Sequence, residues 1–240
     1  VRLGATYDFS EQANFYASFA QAFVPQFGVK RGDVAAEAET SDGFEIGSKG
    51  TLFDGMMSYQ LGAFFTERKN VEFSDPTNMG NEFFVVTAGE VEVQGVEFTS
   101  AYNPAEGLNL SLNLGYTDVD VTEAGDLDEL SEPVFPEFTG SFYLSYELQS
   151  GALQGLKAGG GFRHVGERDG SLTTWDSYTI ADLNFSYPIT EDLGVSFDIL
   201  NVTDEEYVEN ATTNTVNTLG GAAVLGPPRT AALTLRWRYQ

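Results

Sequence analysis

LNLSLNLGYT, residues 108–117, alternates apolar and polar side chains. Extended backbone points successive side chains to opposite faces, so Leu108, Leu110, Leu112, Leu114 and Tyr116 share one face. Asn109, Ser111, Asn113, Gly115 and Thr117 share the other. Phe138, Phe142, Leu144, Tyr146 and Leu148 oppose Thr139, Ser141, Tyr143, Ser145 and Glu147 in the same way. Near the C-terminus, Ala231, Leu233, Leu235, Trp237 and Tyr239 alternate with Thr230, Ala232, Thr234, Arg236 and Arg238. Extending this period-two reading predicts about eleven strands, near residues 1–9, 14–22, 42–52, 57–69, 89–102, 108–121, 138–148, 156–167, 177–187, 195–207 and 229–239. No helix is needed.

The connections alternate in length. Short turns are predicted at Ser10 to Ala13, Asp54-Gly55, Pro104 to Gly107, Ser150 to Gly155 and Thr190 to Gly194. Longer loops are predicted at 23–41, 70–88, 122–137, 168–176 and 208–228. A soluble sandwich has no reason to place every long connection at one end, whereas an outer-membrane barrel does. The fold class expected is therefore all-β, an antiparallel transmembrane β-barrel. Apolar faces then meet lipid, and Glu45, Lys49, Arg68, Glu97, Lys157, Arg163, Arg236 and Arg238 look into a lumen that is wet or filled by another polar domain. Tyr7, Phe9, Tyr102, Tyr116, Tyr187 and Tyr239, near strand ends, suit interfacial girdles, although strand propensity alone accounts for about half of them. An odd strand count leaves two unpaired edges in lipid. The last strand descends after a long loop and the first descends too, so an odd number of strands should precede them.

The 240 residues carry 36 Asp plus Glu against 12 Lys plus Arg, a net charge of −24, with one His and no Cys. That balance opposes nucleic-acid binding, and the missing thiols exclude disulfides, Cys-based metal sites and thiol catalysis. A single imidazole, His164, excludes a multi-histidine metal site. No apolar run approaches the roughly 18–20 residues of a membrane-spanning helix. The opening VRLGATYDF, which lies inside a predicted strand, reads as the start of a fragment or of a mature C-terminal portion.

Several residues are candidates for binding. The acidic block Asp118, Asp120, Glu123, Asp126, Asp128, Glu129, Glu132 and Glu137 could hold calcium, but its spacing fails the EF-hand pattern and a solvated loop is expected. His164 lies with Arg163 and Arg168 near the extracellular end of a strand. Without a nucleophile motif it reads as a rim residue, and no catalytic residue is expected. Phe23, Phe27, Phe83, Phe84 and Trp175, together with Arg163, His164 and Arg168, could line an extracellular vestibule that binds the ligand, and the aromatic ones could equally anchor at the membrane interface. Gly159, Gly160 and Gly161 clear space for a plug or a neighbouring strand. Asn201 and Asp204 mark an expected bulge or face switch.

The chain resembles the C-terminal half of TonB-dependent outer-membrane receptors, the ferric-siderophore class related to ferrichrome receptors. The resemblance is carried by NFYASFAQAFVPQ (14–26), SDGFEIGSKGTLFDG (41–55), GAFFTERKNV (62–71), FFVVTAGEVEVQGVEFTSAYNP (83–104), LNLGYTDVDVTE (112–123) and PEFTGSFYLSY (136–146). It continues through GLKAGGGFRHVGERDG (155–170), SYTIADLNFSYPI (177–189), FDILNVTDEEYVEN (197–210) and GPPRTAALTLRWRY (226–239). The order and spacing of these segments are more specific than any one of them. Gln240 departs from the aromatic ending of the family.

The resemblance implies a 22-stranded plugged barrel in the outer membrane of a Gram-negative bacterium, of which residues 1–240 would supply strands twelve to twenty-two. It implies uptake of a ferric siderophore driven by the inner-membrane TonB complex. The plug, its TonB-contacting peptide and the first barrel half would lie outside this sequence. No enzyme activity and no cofactor follow from it, since the iron chelate is the substrate. Cobalamin or carbohydrate uptake, and a passive channel, stay open. The net acidity fits a neutral or cationic chelate better than an anionic one unless the other half supplies positive charge.

Overall fold

The computed structural model describes residues 1–75, 77–79, 82–123, 135–170, 173–212 and 222–239. Its elements are β1 (Arg2–Ser10), β2 (Ala13–Val24), β3 (Val29–Lys30), β4 (Val34–Ala35), β5 (Glu39–Leu52), β6 (Met57–Ser74), β7 (Val85–Ala105), β8 (Leu108–Glu123), β9 (Phe138–Glu147), β10 (Lys157–Val165), β11 (Arg168–Gly170), β12 (Thr173–Trp175), β13 (Tyr178–Pro188), β14 (Leu193–Leu200), β15 (Val208–Thr212), β16 (Ala222–Leu225) and β17 (Thr230–Trp237). Eleven of them form one sheet in the order β1-β2-β5-β6-β7-β8-β9-β10-β13-β14-β17, and every neighbouring pair is antiparallel. The other six form three two-stranded hairpins within the long connections, at β3-β4, β11-β12 and β15-β16. Long connections alternate with short turns, so all of them lie at one end of the sheet.

The register separates the two faces. Leu112 pairs with Ser100 and Phe142, and Phe142 pairs with Phe162, so the leucines of 108–114 lie on one apolar face. That face is not packed on a second sheet: Leu114, Leu144, Phe162, Phe185, Leu233 and Leu235 are all exposed. This is the outer face of a barrel wall.

Following the outer face across the sheet fixes the membrane position. Tyr102 shares its cross-strand row with Leu110, Leu144 and Leu183. Tyr146 on β9 lies one side-chain step below that row, Tyr187 on β13 two steps below, and Trp237 on β17 three steps below. In the other direction, Tyr7 on β1 lies two steps above it. One step of two residues, ~6.7 Å, per two strand spacings, ~9.6 Å, is a slope of about 35°. Strands tilted by that angle in a barrel bring all five aromatic rings to one height, as an interfacial girdle requires.

The upper boundary descends in parallel. The apolar face gives way at Asp42 on β5, Gln94 on β7 and Thr179 on β13. From Gln94 to Tyr102, and from Thr179 to Tyr187, the separation is eight residues. At that tilt eight residues stand ~22 Å high, close to the apolar band of outer-membrane barrels.

Two expectations are corrected. The strand predicted over 195–207 ends at Leu200. Asn201 marks the expected bulge: the register would set Ala181 opposite Asn201, yet it is the Val202 N–H that donates to the Ala181 carbonyl, at 2.8 Å. Asn201 and Asp204 both have positive φ, 50° and 58°, and close a turn. The Asn201 Nδ2 donates to the carbonyls of Glu205 (2.9 Å) and Pro227 (3.1 Å), while its Oδ1 accepts the Glu205 N–H (2.9 Å). Asp204 accepts the Arg229 amide at 2.9 Å, which ties the two ends of the last long connection together. The loop predicted at 70–88 is also shorter than expected, because β6 and β7 extend above the band and pair as far as Ser74 and Val85.

Candidate functional site: the inner wall and its extracellular mouth

The polar face carries the predicted lumen charges. Register places Glu45, Lys49, Arg68, Glu97, Lys157, Arg163 and Arg236 opposite the apolar face, and Arg238 continues the alternation of Arg236. Glu45, Glu97, Gln60, Thr99 and Tyr16 line a recess of about 150 Å³. Tyr16 donates its hydroxyl to Glu45 Oε1 at 2.7 Å. Its ring lies along the wall, because a Cβ at Gly47 would come 2.5 Å from the ring and one at Gly62 would come 3.0 Å from the hydroxyl. This contact leaves no mark in the local pattern, since Tyr16 reads as an ordinary strand aromatic. A second recess, of about 360 Å³, is lined by Glu97, Thr99, Asn113, Thr139, Ser141 and Arg163. At Gly159 a side chain would collide with the Tyr143 hydroxyl and come 2.8 Å from Asn184 Oδ1, so the glycine run makes room for neighbouring strands.

The vestibule candidates separate. Phe23 pairs with Thr40 on the outer face, just above the apolar band, which is an interface position. His164 pairs with Gly140 and Thr179 on that same outer face, opposite to Arg163. Its Nδ1 meets Thr179 Oγ1 at 2.8 Å and its ring stands 5.8 Å from that of Phe138. His164 is therefore a rim residue on the lipid side. Phe27 and Phe83 stand free on the loops, 93% and 86% exposed. Phe84 is half-buried beneath Arg31, whose guanidinium carbon lies 4.8 Å from the ring centroid.

Arg31 clamps two loops together. It donates to Asp75 Oδ2 at 2.7 Å and to Glu82 Oε2 at 3.0 Å, and Val29 bridges Phe84 in parallel. The hydroxyl and amide of Thr77, then Arg31, hold the buried Asp75 carboxyl below the usual carboxylate range. The Met79 amide, then Arg31, does the same for Glu82. A carboxyl depressed in the folded state contributes stability above its unfolded value and loses it as pH falls through the folded one. The clamp is therefore expected to hold at neutral pH and to open below pH ~4. Limited chymotrypsin digestion at neutral pH should cut an Arg31→Gln variant near Phe83 and spare the parent, while pepsin below pH ~4 should cut both there. Equal resistance of the two proteins would reject the clamp.

Arg168 was expected in the vestibule but is 5% exposed. It donates to the carbonyls of Val208 (2.6 Å) and Glu209 (3.4 Å), with the Tyr178 ring 5.6 Å away, and so fastens the β15-β16 hairpin. Tyr178, Ile180 and Tyr207 pack beside it, with the two tyrosine rings 4.4 Å apart. Burial, then the nearby Glu209, pushes the Tyr207 hydroxyl pKa up. Trp175 pairs with Arg168 across β11-β12 and is half-buried. In the acidic block, Asp118 and Asp120 lie on the outer face, and Asp118 accepts from Gln94 Nε2 at 2.9 Å. Residues 124–134 of that block, and Gln240, lie outside the described residues.

An apolar outer face with an aromatic girdle, a charged inner face and loops gathered at one end define the wall of an outer-membrane transport barrel. Residues 2–202 match the family described as TonB dependent receptor-like, beta-barrel, and the chain belongs to that family. It is accordingly a protein of the Gram-negative outer membrane. It is 29% identical to the Metal-pseudopaline receptor CntO of Pseudomonas aeruginosa over 99% of this chain and 33% of the relative. It is 27% identical to the Ferrioxamine B receptor of Salmonella typhimurium over 87% of this chain and 30% of the relative. Among solved structures it superposes with a TM-score of 0.79 on the ferripyoverdine receptor of the outer membrane of Pseudomonas aeruginosa bound to ferripyoverdine, 25% identical, covering 98% of this chain and 32% of that one. The chain thus spans about a third of the length of the curated relatives it matches. These relatives are named as receptors rather than as enzymes.

Proposed function

We propose that residues 1–240 form the C-terminal part of a TonB-dependent receptor barrel, strands twelve to twenty-two of 22, and that the whole receptor takes up a ferric siderophore. In this reading the plug, its TonB-contacting peptide and the first barrel half are supplied by the rest of the protein, and outer-membrane lipid covers the apolar face. The chain performs no catalysis and holds no cofactor; iron arrives as part of the substrate. The observation that carries the reading is one sheet with a membrane-fitting outer face and a polar, recessed inner face that opens beneath loops bearing Phe27 and Phe83. Relatives named for ferrioxamine and ferripyoverdine support the substrate class.

Iron-limited cells that depend on the full-length receptor should accumulate radiolabelled iron from a siderophore, and a protonophore should stop it. Uptake that persists without the proton gradient would favour a passive channel. Phe27→Ala, Phe83→Ala and Trp175→Ala should each weaken chelate binding by on the order of 1 kcal/mol, about fivefold in Kd. Unchanged affinity in all three would assign these rings to the membrane interface.

A further inference from the structure

The sequence holds no Lys or Arg between Lys69 and Lys157, and the few cations near the mouth are already engaged. Lys30 is ion-paired with Glu37. Arg31 is held by Asp75 and Glu82, Arg68 by Glu39 at 2.8 Å, and Arg229 by Asp204 at 3.4 Å. Lys69 pairs with Glu67 at 2.8 Å on the outer face. Arg168 is buried against backbone carbonyls. Among the described residues near the mouth, Arg163 and the buried Arg168 meet no carboxylate in an ion pair, and of these two Arg163 lines a recess, which it shares with Glu97.

The acids are not matched in this way. Among the described residues, Asp33, Glu137, Glu167, Glu205 and Glu206 meet no cation within ion-pair reach. The two most exposed loop aromatics, Phe27 and Phe83, present ring faces that attract cations rather than anions. Charge of one sign around a low-dielectric mouth sums into a field that sorts incoming ions before contact. On the wall formed by this chain an anionic chelate would cross that field and then find, among the described residues, no unpaired guanidinium or ammonium apart from Arg163 to replace its water.

We infer that the chelate taken up by this receptor carries no net negative charge: the mouth selects a neutral or cationic metal complex and rejects anionic ones. The inference rests on the uptake reading and adds the sign of the substrate to it. Ionic strength is the control, since screening shortens the reach of the mouth's field to about 8 Å at physiological salt.

The test uses the full-length receptor and one ferric trihydroxamate bearing a pendant amine, prepared as the free amine, the acetylated form and the succinylated form. These share a metal centre and differ in charge by one unit each. The amine and acetyl forms should bind at low salt, and the succinyl form on the order of tenfold more weakly, with the gap closing as salt rises. The double variant Glu37→Gln, Glu206→Gln releases Lys30 and removes one unpaired acid without touching the Arg31 clamp, and it should tighten the succinyl form several-fold while leaving the neutral form unchanged. A succinyl form bound as tightly as the amine form, or an anion affinity unmoved in the double variant, would overturn the charge inference and leave uptake standing. Growth of the dependent strain is scored in parallel on a panel of ferric chelates of positive, zero and negative charge. Growth on the anionic members alone overturns the charge inference, and growth on none overturns the uptake reading itself.

Discussion

Leu112→Arg should remove most of the folded full-length receptor from the outer membrane, whereas Asn113→Arg, one residue further along β8, should leave assembly near the parental level. Leu112 stands between Ser100 and Phe142 on the outer face, close to the middle of the band that runs from Asp118 down to Leu108 on this strand. An arginine at that depth costs roughly 2–4 kcal/mol. Against a total stability of about 5–15 kcal/mol that is a large fraction, and it falls on a chain that must insert before it can fold. Asn113 points the other way: its Nδ2 donates to Ser141 Oγ at 3.0 Å, and it lines the recess that also holds Glu97. A guanidinium there stays in a polar space with a carboxylate nearby. The heat-modifiable, protease-resistant receptor band in outer-membrane fractions measures both variants. Equal yields would mean that the faces are wrongly assigned.

The same period-two rule explains what was legible and what was not. Strand number, pairing order and the sorting of Glu45, Lys49, Arg68, Glu97, Lys157, Arg236 and Arg238 to one face follow from local alternation, which tertiary packing leaves intact because each face has one solvent. Grouping Arg163 and His164 in one vestibule went against that rule, since sequence neighbours on a strand face opposite ways, and the structure separates them accordingly. Above the band the alternation persists but changes sides. Val91, buried, and Val93 pair with Arg68 and Thr66 on the inner face, while Glu90 and Glu92 lie on the outer face, so a reading that sends every apolar face to lipid fails there. The contacts of Arg31 and Arg168 were not legible, because their partners lie 40 to 51 residues away in other loops or in backbone carbonyls that leave no mark on composition, and the bond from Asn201 to Pro227 spans 26 residues in the same way.

Expressed by itself, the 240-residue chain is expected to aggregate in water and to be recovered only in detergent, because its sheet ends in two open edges. β1 pairs with β2 alone and β17 with β14 alone. In an antiparallel edge, alternate residues turn both N–H and C=O outward, so the eight residues of β17 leave about eight groups unpaired. At several kcal/mol for each such group placed in hydrocarbon, one edge outweighs the whole stability of a typical domain. Water would satisfy those groups, but it would also meet Leu233, Leu235 and Trp237, all exposed on the same strand. Neither solvent suits the strand until a partner covers its edge. Sedimentation of the refolded chain, with and without detergent, tests this directly. A monodisperse, water-soluble monomer would show that the edges close on themselves and that the open sheet is not the form in solution. Recovery of a heat-modifiable, membrane-inserted species only when the remainder of the receptor is co-expressed would show that the missing strands are what these two edges require.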